Sequence, residues 1–263
     1  MVEVTDLTRR FGAFTAVDRV SFSVQRGEAF GLIGANGAGK STVIRMLTTL
    51  LPITEGSGTV AGYDLVRQPE QVRRHIGYVP QLLSADGALT AWENLLLSAR
   101  LYDIPRRQVR QRIEHALKSM DLMPFAHQLV QGFSGGMIRR LEIAQSMLHR
   151  PAILFMDEST VGLDPVARHA VLDHVGELRR DFGTTVLVTS HYMEEIDVLC
   201  DHLGVLSHGK LVAVGTPVEL KAKVGPNATL DDVFAVLAGT DEDNATETYR
   251  NVRLSRRAAS THG

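Results

Sequence analysis

The sequence contains one cysteine, Cys200, among 263 residues, so it cannot form an intramolecular disulfide bond. It also lacks any apolar run near the roughly 20 residues that a membrane-spanning helix needs. Its richest apolar runs, such as 152–156 and 185–188, are short. The N-terminus does not have the basic and then apolar pattern of a secretory signal. These features predict a cytosolic protein, and if the protein works at a membrane, another chain must cross it.

The net charge is close to zero, because the sequence contains 28 Lys and Arg residues and 30 Asp and Glu residues. A dedicated nucleic-acid binder normally carries a basic excess, so no nucleic-acid partner is expected. One basic run could touch lipid headgroups or nucleic acid, but a charged helix face is more often simply solvated; it comprises Arg106, Arg107, Arg110 and Arg112. Apolar residues are plentiful at 44%, enough for the core of one large domain or of one domain with appendages.

The order of apolar segments predicts an α/β fold. Short β-rich segments at the N-terminus predict an antiparallel β layer. The runs 29–33, 152–156 and 185–189 are apolar on both faces and are followed by loops and helical patterns, which is typical of a parallel sheet. The segment 82–150 is predicted to be almost entirely helical and to form an insertion. Within it, Thr90 and Glu93 have the spacing of a capping box.

The C-terminal part predicts a hairpin and a short extension. The segment 201–215 is typical of two strands that turn at His208 and Gly209. Two short amphipathic helices are predicted after Thr216, the second at 230–237. The polar segment 240–263 is predicted to be disordered. The chain is therefore divided into a core domain at 1–217, an extension at 218–239 and a tail at 240–263.

The strongest motif is GANGAGKS at 34–41, which fits the P-loop pattern between an apolar strand and a predicted helix at 41–51. Its glycines allow backbone N–H groups to converge on phosphate oxygens, its lysine neutralises the outer phosphates, and its serine hydroxyl can ligate Mg²⁺. The candidate ATP-binding residues are Gly34, Asn36, Gly37, Gly39, Lys40, Ser41 and Thr42. An ordinary glycine turn would not require lysine and serine at the start of a helix.

The run ILFMDE at 153–158 places two carboxylates at the end of an apolar strand, where α/β sheets bind ligands. Asp157 is the candidate for the Mg²⁺ site with Ser41, and Glu158 for orienting or deprotonating an attacking water. Together with the P-loop, this pair indicates nucleotide hydrolysis. A GTPase is disfavoured because no Asn-Lys-x-Asp sequence is present. A P-loop kinase stays open as an alternative.

A second glycine pair, in Ser134, Gly135 and Gly136, begins another predicted helix but has no lysine. A helix N-terminus contributes about 0.3–1 kcal/mol to anion binding, or about 2 kcal/mol when partly buried. Even millimolar affinity needs about 4 kcal/mol. These residues cannot hold a nucleotide alone, although they could complete a site whose main cradle lies elsewhere. A simple helix cap by Ser134 is the alternative.

The ordered set of P-loop, YVPQ, FSGGM, ILFMDE, VGLDP and VTSH resembles the ATP-binding domain of ABC transporters over about residues 2–217. The resemblance implies a P-loop NTPase core of the RecA type that binds ATP and Mg²⁺. It also implies that two such domains pair head to tail, and the expected partner is a second copy of this chain. Each ATP would then lie between the Lys40 loop of one copy and the Ser134 loop of the other.

The resemblance also implies roles for single residues. Phe11 is similar to the aromatic residue that stacks on adenine, with a core aromatic as the alternative. Gln81 resembles the glutamine that meets Mg²⁺ and the attacking water. Glu158 resembles the catalytic base, and His191 the histidine that contacts the γ-phosphate. Asp164 resembles the aspartate that crosses the dimer interface.

The sequence departs from the family pattern at three positions: Phe133 and Met137 flank the serine-glycine signature, and Ser159 stands where proline is usual. The methionine and the segments at 89–105 and 215–239 resemble the drug-resistance exporters, whose ATP-binding and membrane subunits are separate chains. The resemblance implies an ATPase subunit at the inner face of the cell membrane that couples ATP hydrolysis to efflux of drugs or other hydrophobic substrates. A soluble ABC-type ATPase that acts on ribosomes or DNA is the alternative.

Overall fold

The computed structural model describes residues 1–190 and 192–238. His191 and the predicted tail at 240–263 lie outside the described residues. The strands are β1 (Val2–Phe11), β2 (Phe14–Val24), β3 (Ala29–Gly34), β4 (Glu55–Val60), β5 (Tyr63–Asp64), β6 (Ile76–Val79), β7 (Ile153–Asp157), β8 (Thr185–Thr189), β9 (His202–Ser207) and β10 (Lys210–Gly215). The helices are α1 (Lys40–Leu47), α2 (Pro69–His75), α3 (Ala91–Leu101), α4 (Arg106–Ser119), α5 (Gly135–Met147), α6 (Pro165–Phe182), α7 (Met193–Leu199), α8 (Pro217–Val224) and α9 (Leu230–Ala238).

The strands form two sheets. The first has the order β2-β1-β4-β5 and is antiparallel. The second has the order β10-β9-β3-β8-β7-β6, in which only β10 runs antiparallel to its neighbour. The predicted antiparallel layer and parallel core sheet are therefore both confirmed.

The central strands are apolar on both faces because the parallel sheet separates two cores. Phe30 and Phe155 face a core shared with the antiparallel sheet and α1. Ile33 and Met156, on the same two strands, face the core formed with α3 to α9. Successive side chains along each strand therefore point alternately into the two cores. Because these strands are parallel, the carboxyl ends of β3, β7 and β8 lie at one edge of the sheet.

The inserted segment is less helical than predicted. It contains α3, α4 and α5, whereas 82–90 is a loop and 123–132 contains only two short 3-10 helices. The prediction of almost continuous helix was wrong. The loops have the same kind of composition as the helices, but hydrogen bonds to distant parts of the backbone hold them in turns. The capping box of α3 is confirmed, since the Glu93 N–H donates to Thr90 Oγ1 over 3.1 Å and the Thr90 N–H donates to Glu93 Oε2 over 2.8 Å.

Two other elements differ from the sequence-based prediction. Strand β6 was not predicted because four residues are too few to show a periodicity. Helix α1 ends at Leu47 rather than at 51. Thr49 adopts a left-handed conformation with φ of 60°, and the Leu50 and Leu51 N–H groups fold back to donate to Arg45 O. This backbone closure ends the helix after two turns.

The C-terminal elements agree with the prediction. The β9–β10 hairpin turns at His208 and Gly209, whose φ values of 46° and 78° match the turn that joins two twisted strands. Helices α8 and α9 follow, and α8 is capped by a reciprocal pair of bonds between Thr216 and Glu219. Among the described residues, no helix is long and apolar enough to cross a membrane.

Candidate active site

The P-loop connects the end of β3 to the start of α1, with the backbone N–H groups of α1 open toward the loop. Gly37 and Gly39 have φ values of 82° and 106°, which side chains with a Cβ rarely adopt. A Cβ at Gly39 would also lie 2.7 Å from Ala16 O on β2. The glycine is therefore required here by both conformation and space.

The P-loop is supported from behind by two other parts of the chain. The Gly209 N–H, at the β9–β10 turn, donates to Ala38 O over 3.0 Å. Gly209 O in turn accepts from the Asp18 N–H of β2 over 2.8 Å. We name this set of contacts the loop brace. It ties the P-loop to both sheets, so the loop conformation does not depend on local sequence alone.

Lys40 is the central cation of the site and is only 3% exposed. Its Nζ donates to Gly34 O over 2.9 Å and to Ala35 O over 3.1 Å. It also forms an ion pair with Glu158 Oε1 at 3.1 Å. The structure therefore brings the predicted phosphate-binding lysine and the predicted catalytic base into direct contact.

Ser41 and Asp157 form an oxygen-rich pair beside Lys40. The Ser41 hydroxyl donates to Asp157 Oδ1 over 2.8 Å. The Thr189 hydroxyl donates to the same oxygen over 3.0 Å, because β7 and β8 pair Asp157 with Thr189 in register. A carboxylate and a hydroxyl are the ligands that Mg²⁺ takes next to nucleotide phosphates. The donor set fits this ion, although the described residues contain no cluster of three or more His, Cys, Asp or Glu side chains.

Glu158 is held in an unusual backbone conformation directly after β7, with φ of 45°. Its N–H donates to Thr189 Oγ1 over 2.9 Å and to Thr189 O over 3.1 Å. Its Oε2 accepts from Gln81 Nε2 over 3.2 Å. Gln81 therefore lies beside the carboxylate that the resemblance named as the base. Sequence reasoning missed Thr189, which belongs to the VTSH motif but gains its role only from strand pairing.

A second missed feature is a buried ion pair on α5. Arg139 and Glu142 are 1% and 4% exposed and lie 2.8 Å apart. Burial lowers the pKa of the Arg139 guanidinium, and the charge of Glu142 opposes that shift. Arg139 Nη1 and Nη2 and Glu142 Oε1 also bind the loop that contains Gln81. The spacing of three residues on one helix was the available signal.

Lys40, Ser41, Gln81, Asp157 and Glu158 together form what we name the Lys40 cluster. The serine-glycine segment and Asp164 lie side by side but are not bonded to it. Ser134 caps α5 by accepting from the Met137 N–H over 3.3 Å, and Asp164 caps α6 by accepting from the Ala167 N–H over 2.9 Å. A Cβ at Gly136 would lie 2.7 Å from Ala167 Cβ, so only glycine allows the two helix starts to approach. Within the described chain, no hydrogen bond or ion pair joins these caps to the Lys40 cluster.

The remaining candidates lie at the rim. Asn36 is exposed on the P-loop, and Thr42 is half-buried in the first turn of α1. Phe11 is 45% exposed beside the β1–β2 turn, with the Arg9 guanidinium 4.6 Å from its ring centre. Phe11 is thus not a core aromatic, and its ring is accessible. His191 lies outside the described residues.

A phosphate loop that faces an aspartate and a glutamate across the carboxyl edge of a parallel sheet defines the class of P-loop nucleotide hydrolases. A family model described as ABC transporter matches residues 17–161. This chain belongs to the ABC transporter family, and it is an ABC-type ATPase that binds ATP.

Curated relatives point to one branch of this family. The chain is 39% identical over 225 residues to the linearmycin resistance ATP-binding protein LnrL of Bacillus subtilis, covering 86% of this chain and 72% of the relative. It is 42% identical over 226 residues to the daunorubicin/doxorubicin resistance ATP-binding protein DrrA of Streptomyces peucetius, covering 86% and 68%. These similarities confirm the resemblance to drug-resistance ATP-binding proteins.

A solved structure supports the fold and the nucleotide. This chain is similar to a dimeric ATP-binding cassette in a post-hydrolysis state with ADP and Pi bound, with a TM-score of 0.73 and 25% identity. The match covers 82% of this chain and 98% of that chain. The predicted α/β fold of a P-loop NTPase with an inserted helical subdomain is confirmed.

Proposed function

We propose that this chain is the ATP-hydrolysing subunit of an exporter and works as a head-to-tail dimer beneath separate membrane subunits. The observation that carries the proposal is the separation of two phosphate-binding elements within one chain. The Lys40 loop has its acidic partners at hand, whereas the exposed caps at Ser134 and Asp164 have no bond to them. A second copy of the chain, placed head to tail, would join the two elements across one ATP.

The proposed chemistry follows from the contacts around Lys40. Lys40 and the P-loop N–H groups would bind the outer phosphates. Ser41, Asp157 and Gln81 would hold Mg²⁺, which supplies charge neutralisation at the phosphate oxygens. Glu158 would accept the proton of the attacking water. Gln81, which would position that water, lies next to this carboxylate, since its Nε2 donates to Glu158 Oε2 over 3.2 Å.

The dimer would complete the site from the partner copy. Ser134, Gly135 and Gly136 would donate to the γ-phosphate, and Asp164 would cross the interface next to them. Phe11 offers an accessible ring for stacking on the base. His191 is assigned to the γ-phosphate by family resemblance alone.

We assign 1–217 to the ATP-binding domain, 82–150 to its helical insertion and 218–239 to a C-terminal extension. Segment 82–102 of the helical insertion also exposes apolar side chains to solvent; they are Leu82, Leu83, Leu97, Leu101 and Tyr102. We propose that they form an apolar patch, which is typical of an interaction surface. We therefore expect the membrane subunits to contact 81–102, and the chain to lie at the inner face of the membrane through them.

The proposed transported substrates are drugs or other hydrophobic molecules. The support is the similarity to proteins named for linearmycin and for daunorubicin/doxorubicin resistance. The alternative that stays in view is a soluble ABC-type ATPase that acts on ribosomes or DNA. The P-loop kinase is excluded, because the chain belongs to the ABC transporter family.

The partner is tested by purifying the tagged chain from detergent-solubilised membranes of its own host. We expect an integral membrane protein to co-purify, and Leu101→Asp to reduce its recovery because a charge enters the apolar patch. Val218→Asp on α8 is the matched control, since Leu101 and Val218 are 74% and 75% exposed. Recovery of ribosomes or DNA in place of a membrane protein would favour the soluble alternative.

A further inference from the structure

Arg139 and Glu142 place two charges inside the helical insertion, on the helix that begins at Ser134. Arg139 is 1% exposed and has the largest of the fully buried side chains among the described residues. Replacing a buried ion pair by apolar residues of similar volume is often neutral or stabilising, because both charges lose their hydration. Stability alone therefore does not account for this pair.

The two side chains bind opposite ends of the loop that contains Gln81. Arg139 Nη1 donates to Pro80 O over 2.6 Å, and Arg139 Nη2 donates to Gln81 O over 2.8 Å. Glu142 Oε1 accepts from the Ser84 N–H, from the Ser84 hydroxyl over 3.0 Å and from the Ala85 N–H over 3.3 Å. The Arg139–Glu142 bond at 2.8 Å closes the arrangement. The loop backbone at 80–85 is thus fixed to one helix rather than to a strand.

The same loop reaches the reacting groups. Gln81 Nε2 donates to Glu158 Oε2 over 3.2 Å, and Glu158 pairs with Lys40. Ser134 and Arg139 are five residues apart on one helix, which is about 7.5 Å along its axis. A movement of the Ser134 end of α5 therefore shifts the carbonyl of Gln81 through direct bonds, without any intermediate flexible segment.

We propose that Arg139 and Glu142 are positioning residues that transmit the position of the Ser134 helix to Gln81, and through it to Glu158. The inference rests on the proposed roles of Gln81 and Glu158 in hydrolysis. When the Ser134 end of α5 engages a phosphate, the ion pair draws the Gln81 loop with the helix and sets the amide at the attacking water. ATP affinity of the monomer is unaffected, because neither side chain contacts the P-loop.

The test is a double-mutant cycle on ATP turnover with Gln81→Ala and Arg139→Met. Each single variant should lower kcat, by up to about 10²-fold for a misplaced catalytic group. In the double variant, Arg139→Met should cause no further loss, because the group that it positions is already gone. A merely structural role of Arg139 would lower kcat by the same factor in both backgrounds. ATP affinity of the monomer, measured with a fluorescent analogue, should stay within about twofold.

Arg140→Met is the matched control, since Arg140 is on the same helix and donates to Met120 O instead; its kcat should equal that of the unsubstituted chain. If Arg139→Met does not fold, Arg139→Lys replaces it, because lysine keeps the charge but loses the two-pronged contact with the loop. Equal, multiplicative losses in the cycle overturn the inference and leave the proposed function standing. Unchanged kcat in Gln81→Ala overturns the inference together with the proposed role of Gln81 in hydrolysis.

Discussion

Glu158 shows how much of the site depends on a single residue. Its carboxylate contacts Lys40 and Gln81, and its backbone is fixed by Thr189 in a conformation with φ of 45°. Glu158→Gln keeps the shape of the side chain but cannot take a proton. We expect ATP binding to persist while turnover, measured as phosphate release, falls by roughly 10²- to 10⁴-fold.

The same variant should accumulate an ATP-bound dimer, which size-exclusion chromatography with light scattering would detect. Glu177→Gln serves as the control, because Glu177 is exposed on α6 and lies outside the Lys40 cluster. Turnover that is unchanged in Glu158→Gln would remove Glu158 from the role of base.

At the residue scale, the sequence predicted contacts that a motif encodes in its spacing. Ser41 contacts Asp157 and Lys40 contacts Glu158, so the P-loop lies against the strand-end carboxylates as the two motifs indicated. Thr189 and Arg139 could not be predicted in the same way. The first depends on the register of β7 with β8, and the second on which loop packs over α5.

His149 joins three elements of the helical insertion and core. It follows α5, its Nε2 hydrogen-bonds Ile76 O at the start of β6 over 3.0 Å, and its ring stacks 3.7 Å from that of Tyr102 at the end of α3. Because a carbonyl only accepts, Nε2 carries the hydrogen. Burial lowers the pKa of His149 to about 4, and the charges of Arg112 and His75 act in the same direction.

The pKa of His149 makes the stability of this junction dependent on pH. Its pKa is lower in the folded chain than in the unfolded chain, so the unfolded state binds more protons between pH 6.5 and 4. Stability should therefore fall as the pH drops through this window, by roughly 2 kcal/mol between pH 7 and pH 5. Urea unfolding at the two pH values measures the difference.

His149→Gln removes the titrating ring and should reduce that pH-dependent loss, whatever it does to stability at pH 7. His169→Gln provides a comparison, because His169 is an exposed histidine on α6. A loss of equal size in His149→Gln and in the unsubstituted chain would contradict the assignment to His149.

At the element scale, segments with a clear apolar or capping pattern were predictable, and segments without such a pattern were not. The both-face apolar pattern predicted β3, β7 and β8, and the capping box predicted the start of α3. Strand β6 has four residues, too few for a pattern. The loops at 82–90 and 123–132 were predicted as helix because their bonds are long-range, such as the Val130 N–H to Leu89 O at 2.9 Å.

For the whole molecule, the critical prediction concerns how two copies share one nucleotide. Ser134 is exposed at the start of α5 and has no bond to the Lys40 cluster within the described chain. Ser134→Arg should therefore leave binding of one ATP per monomer intact but block dimer closure, since a long cation would occupy the space of the γ-phosphate contact. Fluorescent nucleotide titration measures the first property, and light scattering in the Glu158→Gln background measures the second.

Ser57→Arg is the control for that experiment, because Ser57 is exposed on β4 in the antiparallel sheet and should alter neither property. Loss of monomeric ATP binding in Ser134→Arg would mean that one chain supplies both elements to one nucleotide. The head-to-tail arrangement would then be wrong.

The loop brace has a consequence for how this chain gains its affinity for ATP. The GANGAGKS segment precedes its supports along the chain, because β3 lies between β8 and β9 in the sheet, and Gly209 in the β9–β10 turn donates to Ala38 O. All of these supports are synthesised long after the segment that they support. A nascent chain that stops short of the hairpin therefore carries the phosphate motif without these supports, and nucleotide recognition must wait until the β9–β10 hairpin has been synthesised and has folded.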